Sequence, residues 1–195
     1  MAVAGSGQNA TVPRFSAGLL LYRFGAGPET AGPETAGPES AGPESAGPES
    51  AGPESAGLEV LLGHPGGPFW AGRDEAAWSI PKGEFDPDGE SPRDAARREF
   101  TEELGISPPD GAWLELGSVR SSGKTIVVFA LAGDLDASVI VSNTFELEWP
   151  PRSGRTQAFP EIDRAAWFAV HEAAVRIVRA QRPFLDRLVT SLAGP

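Results

Sequence analysis

Glu99, Glu102 and Glu103 stand three and four residues apart, and Arg98 directly precedes the first of them. On a helix those spacings bring the carboxylates onto neighbouring positions of one face. Like charges so placed repel each other and disfavour an isolated helix, and a cation held between them reverses the sign of that effect. All-oxygen donors select a hard ion, Mg²⁺ or Mn²⁺, with Ca²⁺ less suited to phosphate chemistry. Arg98 lies one turn from Glu102, within reach to hold or orient a carboxylate. Ala95, one turn before Glu99, is expected to keep that face low so that a bulky phosphate can approach. The competing reading is a solvated acidic face. The glycine-containing loop before the helix, Arg98 and the glutamate spacing occur together, which weighs against it.

The element that must carry these residues is a helix over 92–104. Ser91 is a good N-cap, Pro92 suits the first helical position, Asp94 favours the positive end of the dipole, and Gly105 supplies the stop. Ala96, Phe100 and Leu104 then form its core-facing stripe. Short apolar runs bounded by Gly or Pro predict strands at 16–24, 58–64, 77–80, 114–119, 125–132 and 165–168. The Ser121-Ser122-Gly123-Lys124 run is the expected turn between two of them. Helices are expected at 171–181 and 183–192, the latter with Phe184, Leu188 and Leu192 on one stripe. Strands first, a helix in the middle and helices last indicate an α+β layered domain.

Between the first two strands, residues 26–55 repeat a five-residue unit six times, AGPET twice and then AGPES four times. Five residues without one large apolar side chain cannot cover a core, so a solenoid is excluded and a disordered linker is expected. Residues 26–56 are therefore taken as a disordered insertion within one domain spanning 14–195, after a flexible N-terminus over 1–13. Such an insertion is tolerated because loop-closure cost grows only logarithmically with length. The tract holds six uncompensated glutamates, so the net charge of −11 falls to −5 without it. An acidic chain is a poor partner for nucleic acid. No apolar run approaches a membrane span, and none resembles a secretory signal. With no cysteine, disulfide scaffolds, Cys-ligated zinc and thiol catalysis are excluded. A cytoplasmic protein is expected; the sequence does not address its oligomeric state.

Glu90, seven intervening residues, then Arg98-Glu99-Phe100-Thr101-Glu102-Glu103-Leu104-Gly105-Ile106 resemble the Nudix hydrolase box, G-x5-E-x7-R-E-U-x-E-E-x-G-U with U a bulky apolar residue. One departure stands out: six residues, not five, separate Gly83 from Glu90, as if Asp88 or a neighbour were inserted. The resemblance implies a Nudix fold, a mixed sheet sandwiched between helices. It also implies a pyrophosphohydrolase using Mg²⁺ or Mn²⁺, with Glu99, Glu102 and Glu103 as ligands, one of which can double as general base. Arg98 would orient them, Glu90 would support the site, and the backbone carbonyl of Lys82 or Gly83 would join the metal ligands.

The Pro81-Lys82-Gly83-Glu84 run is similar to the branch acting on diadenosine polyphosphates, so a dinucleoside polyphosphate is the favoured small-molecule substrate. Nucleoside triphosphates, nucleotide sugars or NADH remain alternatives, as does a non-catalytic ligand sensor. Outside the box, Lys82 and the guanidiniums of Arg152 and Arg155 are candidates for phosphate contact. Glu161 is a candidate for a further ligand or base, against a solvated carboxylate. Phe69 and Trp70 could stack on a base, against burial as loop anchors. His64, His171 and Trp78 are read as structural.

Overall fold

The computed structural model describes residues 14–25 and 57–194; the repeat and the N-terminal segment expected to be flexible lie outside the described residues. β1 (Arg14–Phe24) runs through the middle of a six-stranded mixed sheet. Its stretch from Ser16 to Leu21 is buried, which explains an unbroken apolar run where a strand with one wet face would alternate. Along one edge β1 pairs in parallel with β5 (Lys124–Ala132), which pairs antiparallel with β4 (Trp113–Ser121). Two strands share its other edge. β2 (Leu58–Pro65) takes one end, with Tyr22 opposite Val60 and Phe24 opposite Leu58. β3 (Lys82–Phe85) takes the other end, with Gly18 opposite Lys82 and Ala17 opposite Gly83.

The β1–β2 pair closes just where the repeat is inserted, Gly25 N donating to Gly57 O at 2.7 Å. A separate hairpin of β6 (Thr144–Glu148) and β7 (Thr156–Pro160) precedes β8 (Ile162–Ala169), which returns to pair with β2.

The sheet faces carry the two halves of the core. Against one lies α1 (Pro92–Leu104), whose Ala96, Phe100 and Leu104 are fully buried with Ala17, Leu19 and Leu21. Against the other lie α2 (Val170–Arg176) and α3 (Arg182–Ala193), with Ile177, Phe184 and Leu188 packed onto Leu20, Val60, Leu62 and Trp78. This is the mixed sheet between helices that the Nudix resemblance implies. Among the described residues no helix is long and apolar enough to cross a membrane.

Three expectations need correction. Residues 77–80 form no strand; only single bridges join Ser79 to Gly63 and Trp78 to Ile177, because Pro81 follows at once and cannot donate to a ladder. The strand falls instead on Lys82–Phe85, a run expected to be loop. The helix expected over 171–181 stops at Arg176, where β-branched Ile177 and Val178 turn extended and Val178 N donates to Trp78 O. Ala95 does not hold an open face for phosphate: it is fully buried in the core beneath α1.

Candidate active site

Both ends of α1 are fixed by its own sequence. The Ser91 side chain accepts from Asp94 N at 3.1 Å, Pro92 opens the first turn, and Gly105 leaves it in the left-handed region with φ 69°. At the carboxyl end the chain crosses back. Val141 N donates to Leu104 O and Asn143 N to Glu102 O, at 3.1 and 3.2 Å, satisfying carbonyls that a helix end otherwise leaves open. The glutamates therefore sit on a helix held at both termini.

Arg98 is the hub of the acid group. It grips Glu90 with two nitrogens, Nε at 3.1 Å and Nη2 at 2.9 Å, while Nη1 reaches Glu99 at 2.5 Å and Glu102 at 3.1 Å. The hydrogen bonds to Glu90 first, then those to Glu99, hold the guanidinium above its ordinary pKa. Burial pushes the Glu99 carboxyl up against the pull of Arg98, and the charges of Glu102 and Glu161 push the same way. Glu103 accepts from Lys82 N at 2.9 Å. Its burial, with the charges of Glu99 and Glu161, raises it to about 7 despite Lys82. Glu161, which follows β7 directly, is thus brought to the box residues in space, pinned by its N–H to Asn143 O at 2.8 Å.

The extra residue before Glu90 is taken up in a turn. Gly89 N and Glu90 N both donate to Asp86 O, at 3.0 and 2.9 Å, and Asp88 N donates to the Asp86 side chain. The turn leaves the Arg98–Glu90 fork intact. Gly83 lies tight against Glu99: a Cβ added there would fall 1.8 Å from a Glu99 oxygen. The missing side chain is what lets strand and carboxylate meet, a steric role that the sequence did not announce. Glu84, likewise unmarked in the sequence, anchors the same strand through Lys124 and Arg14, and its carbonyl accepts from Arg98 at 3.3 Å.

Lys82 joins the acids only through its backbone, and its side chain lines an open cavity of about 310 Å³ on the opposite face of the sheet from α1. Its backbone N–H serves Glu103, and it lines that cavity with Trp70, Ser79, Ser121 and Gln181. Gln181 is almost fully buried, with Oε1 accepting from Ile80 N at 2.8 Å; nothing in the local sequence signals it. A larger cavity, about 500 Å³, lies under the 84–88 turn; Glu84, Asp86 and Asp88 line it with one cation, Arg14, which is already paired with Glu84. Arg152 and Arg155 sit on the exposed tip of the β6–β7 hairpin, with no bond to the box carboxylates. Phe69 is 58% exposed rather than buried, whereas Trp70 packs against the core. His64 is buried between Asp163 and Arg73 O, both at 2.8 Å.

The donors suit a hard divalent cation. Glu99, Glu102, Glu103 and the Gly83 carbonyl are all oxygen, and the mutual repulsion of the half-buried acids is what such a charge relieves. Among the described residues no three carboxylates are gathered into a ligand shell; Arg98 Nη1 lies between Glu99 and Glu102 and takes up part of their charge.

A mixed sheet between helical layers, with an arginine-held row of glutamates on one helix, defines the class. The NUDIX domain profile matches residues 54–188, well over half of the chain. The chain belongs to the Nudix family and is a Nudix hydrolase. No curated protein matches it by sequence. Among solved structures it is similar to one of the complex between the C-terminal domain of mouse MUTYH and human PCNA, at 16% identity over 93% of this chain and 91% of that one, TM-score 0.50. A C. elegans Ap4A hydrolase shares 20% identity over 92% and 99% of the two chains, TM-score 0.49. The NUDIX domain of Shewanella oneidensis NrtR complexed with ADP ribose shares 12% over 91% and 87%, TM-score 0.49. At such identities the likeness is one of fold.

Proposed function

We propose that this hydrolase is a divalent-metal-dependent pyrophosphohydrolase of nucleoside polyphosphates, with dinucleoside polyphosphates its preferred substrates. The observation that carries the reading is the arginine-held row of carboxylates on α1, with Glu99 fitted against Gly83 and Glu103 accepting from the backbone N–H of Lys82. Glu99, Glu102, Glu103 and the carbonyl of Gly83 would hold Mg²⁺ or Mn²⁺. When bound, the ion supplies charge to offset a phosphoanhydride and lowers the pKa of water. Arg98, clamped by Glu90, orients Glu99 and Glu102. One of the box glutamates or Glu161 accepts the proton of the attacking water. Water oxygen bonds to phosphorus and the bridging P–O bond breaks, so no phosphorylated enzyme is needed. Lys82, whose charge reaches Glu103, would offset phosphate charge beside the acids. The Pro81-Lys82-Gly83-Glu84 run supports the polyphosphate preference.

A phosphate-release screen over diadenosine tetra- to hexaphosphates, nucleoside triphosphates, nucleotide sugars and NADH tests the substrate. The dinucleotides should give the highest kcat/KM. A tenfold or greater lead for triphosphates or nucleotide sugars would replace this substrate while leaving the hydrolase standing.

A further inference from the structure

The β6–β7 hairpin and the loop leaving β2 form one arm. Gly66 N donates to Glu161 O at 3.0 Å, and a Cβ on Gly66 would fall 2.0 Å from Pro160 O, so the two segments lie flat together. Gly67 faces Phe145 and Phe159, whose rings are 6.2 Å apart. Farther out, Phe69 meets Trp149 edge-on at 5.5 Å yet stays 58% exposed. A monomeric core gains little from an aromatic ring left that open, whereas a base can stack on it.

The tip is built rather than loose. Trp149 N donates to Arg155 O at 2.9 Å, Ser153 N to Pro150 O at 3.1 Å, and Gly154 N to the Glu148 carboxylate at 2.8 Å. These bonds fix the backbone that carries Arg152 and Arg155. Most of the other arginines are committed: Arg23, Arg98 and Arg176 are in ion pairs, and Arg93, Arg97 and Arg164 lie over aromatic rings. Among the described residues the guanidiniums of Arg152 and Arg155 have neither. Two uncommitted cations on the hairpin tip whose Trp149 meets the open Phe69 ring, on an acidic chain, suit a nucleotide.

The arm also has a fixed place relative to the acids. Its root is Glu161, whose charge reaches Glu99 and Glu103. Its tip lies one strand away, since the five residues of β7 span about 17 Å at about 3.4 Å each. A single nucleoside held by its phosphates on the carboxylates leaves the tip unused. A second nucleoside, carried on a bridge of several phosphates, can reach it.

We infer that Phe69, Trp149, Arg152 and Arg155 form a subsite for the distal nucleotide of a dinucleoside polyphosphate, an inference that rests on the function proposed above. Its consequence is selective: the arm sets affinity for substrates with two nucleosides and is indifferent to those with one.

The test compares diadenosine tetraphosphate with ATP in the full chain, the Phe69→Ala variant and an Arg152→Ala/Arg155→Ala double variant. All three sites are exposed, so folding should be unaffected, and thermal unfolding checks this. Phe69→Ala should raise KM for the dinucleotide by roughly five- to a hundredfold, the scale of one base–aromatic stack, with kcat and the ATP constants unchanged. The double variant should do the same at low salt and less at high salt. Calorimetric binding of both nucleotides is read alongside, so a chain that binds without cleaving still tests the arm. Equal losses for both nucleotides, no loss for either, or no dinucleotide binding by the parent chain would overturn the subsite. A parent chain that binds the dinucleotide through the arm but turns over only triphosphates would overturn the proposed function instead.

Discussion

Gly83→Ala puts the geometry of the acid group to a sharp test. The new Cβ would lie 1.8 Å from the nearer Glu99 oxygen and 2.0 Å from its carboxyl carbon, where ordinary contact begins at 3.4 Å. The carboxylate must therefore retreat by about 1.6 Å, away from the position in which Arg98 holds it at 2.5 Å. A displacement of about 1 Å at a reacting centre costs on the order of 10²-fold, so kcat should fall by at least about 10²-fold. What yields is the end of a flexible side chain, not backbone. The fold should survive with a penalty of about 1–3 kcal/mol for overpacking, a fall in Tm of no more than about 10 °C. Gly89→Ala in the same loop is the control: its Cβ would meet nothing nearer than Asp86 O at 3.9 Å, and turnover should be unchanged. Steady-state kinetics on the best substrate, with thermal unfolding of each variant, reads both quantities. A Gly83→Ala enzyme within threefold of the parent kcat would refute the idea that strand and carboxylate are fitted to each other.

Further outcomes follow from the same geometry. Glu103→Gln keeps the shape of the side chain and removes an anionic donor, so kcat should drop by roughly 10²–10⁴-fold; unchanged turnover would show that the box has been misassigned. Deleting residues 26–55 leaves a three-residue loop, Gly25-Ala56-Gly57, between the paired Phe24 and Leu58, a length common in hairpins. That variant should fold and turn over as the parent does, and a folded deletion that loses most activity at both low and high salt would make the repeat a working part. Phe100 is fully buried beneath the sheet, so Phe100→Ala should lower unfolding free energy by about 3–5 kcal/mol in a denaturant titration.

What could be read in the sequence was what local chemistry decides. The bounds of α1 followed from Ser91, Pro92 and Gly105, each acting within a turn of its own position. The β4–β5 turn followed from Ser122 and Gly123, which both take positive φ. β3 could not be read, because Lys82–Phe85 has neither length nor alternation and becomes a strand only by pairing with β1, more than sixty residues earlier. β6 was legible and was missed: Thr144-Phe145-Glu146-Leu147-Glu148 alternates strictly, and the outward residues are polar. Of the acid group, the helix spacing of Glu99, Glu102 and Glu103 was visible. The approach of Glu161 and the fit of Gly83 against Glu99 were not, since both depend on segments brought together by the sheet. Gln181 left no mark for the same reason.

The central claim is that the glutamates of α1 hold a divalent cation that the hydrolysis needs. Following diadenosine tetraphosphate by ³¹P NMR in Mg²⁺, then in excess chelator, then after restoring Mg²⁺ or Mn²⁺, tests it most directly. Cleavage should stop with the chelator and return with either ion, and full activity in excess chelator would contradict it.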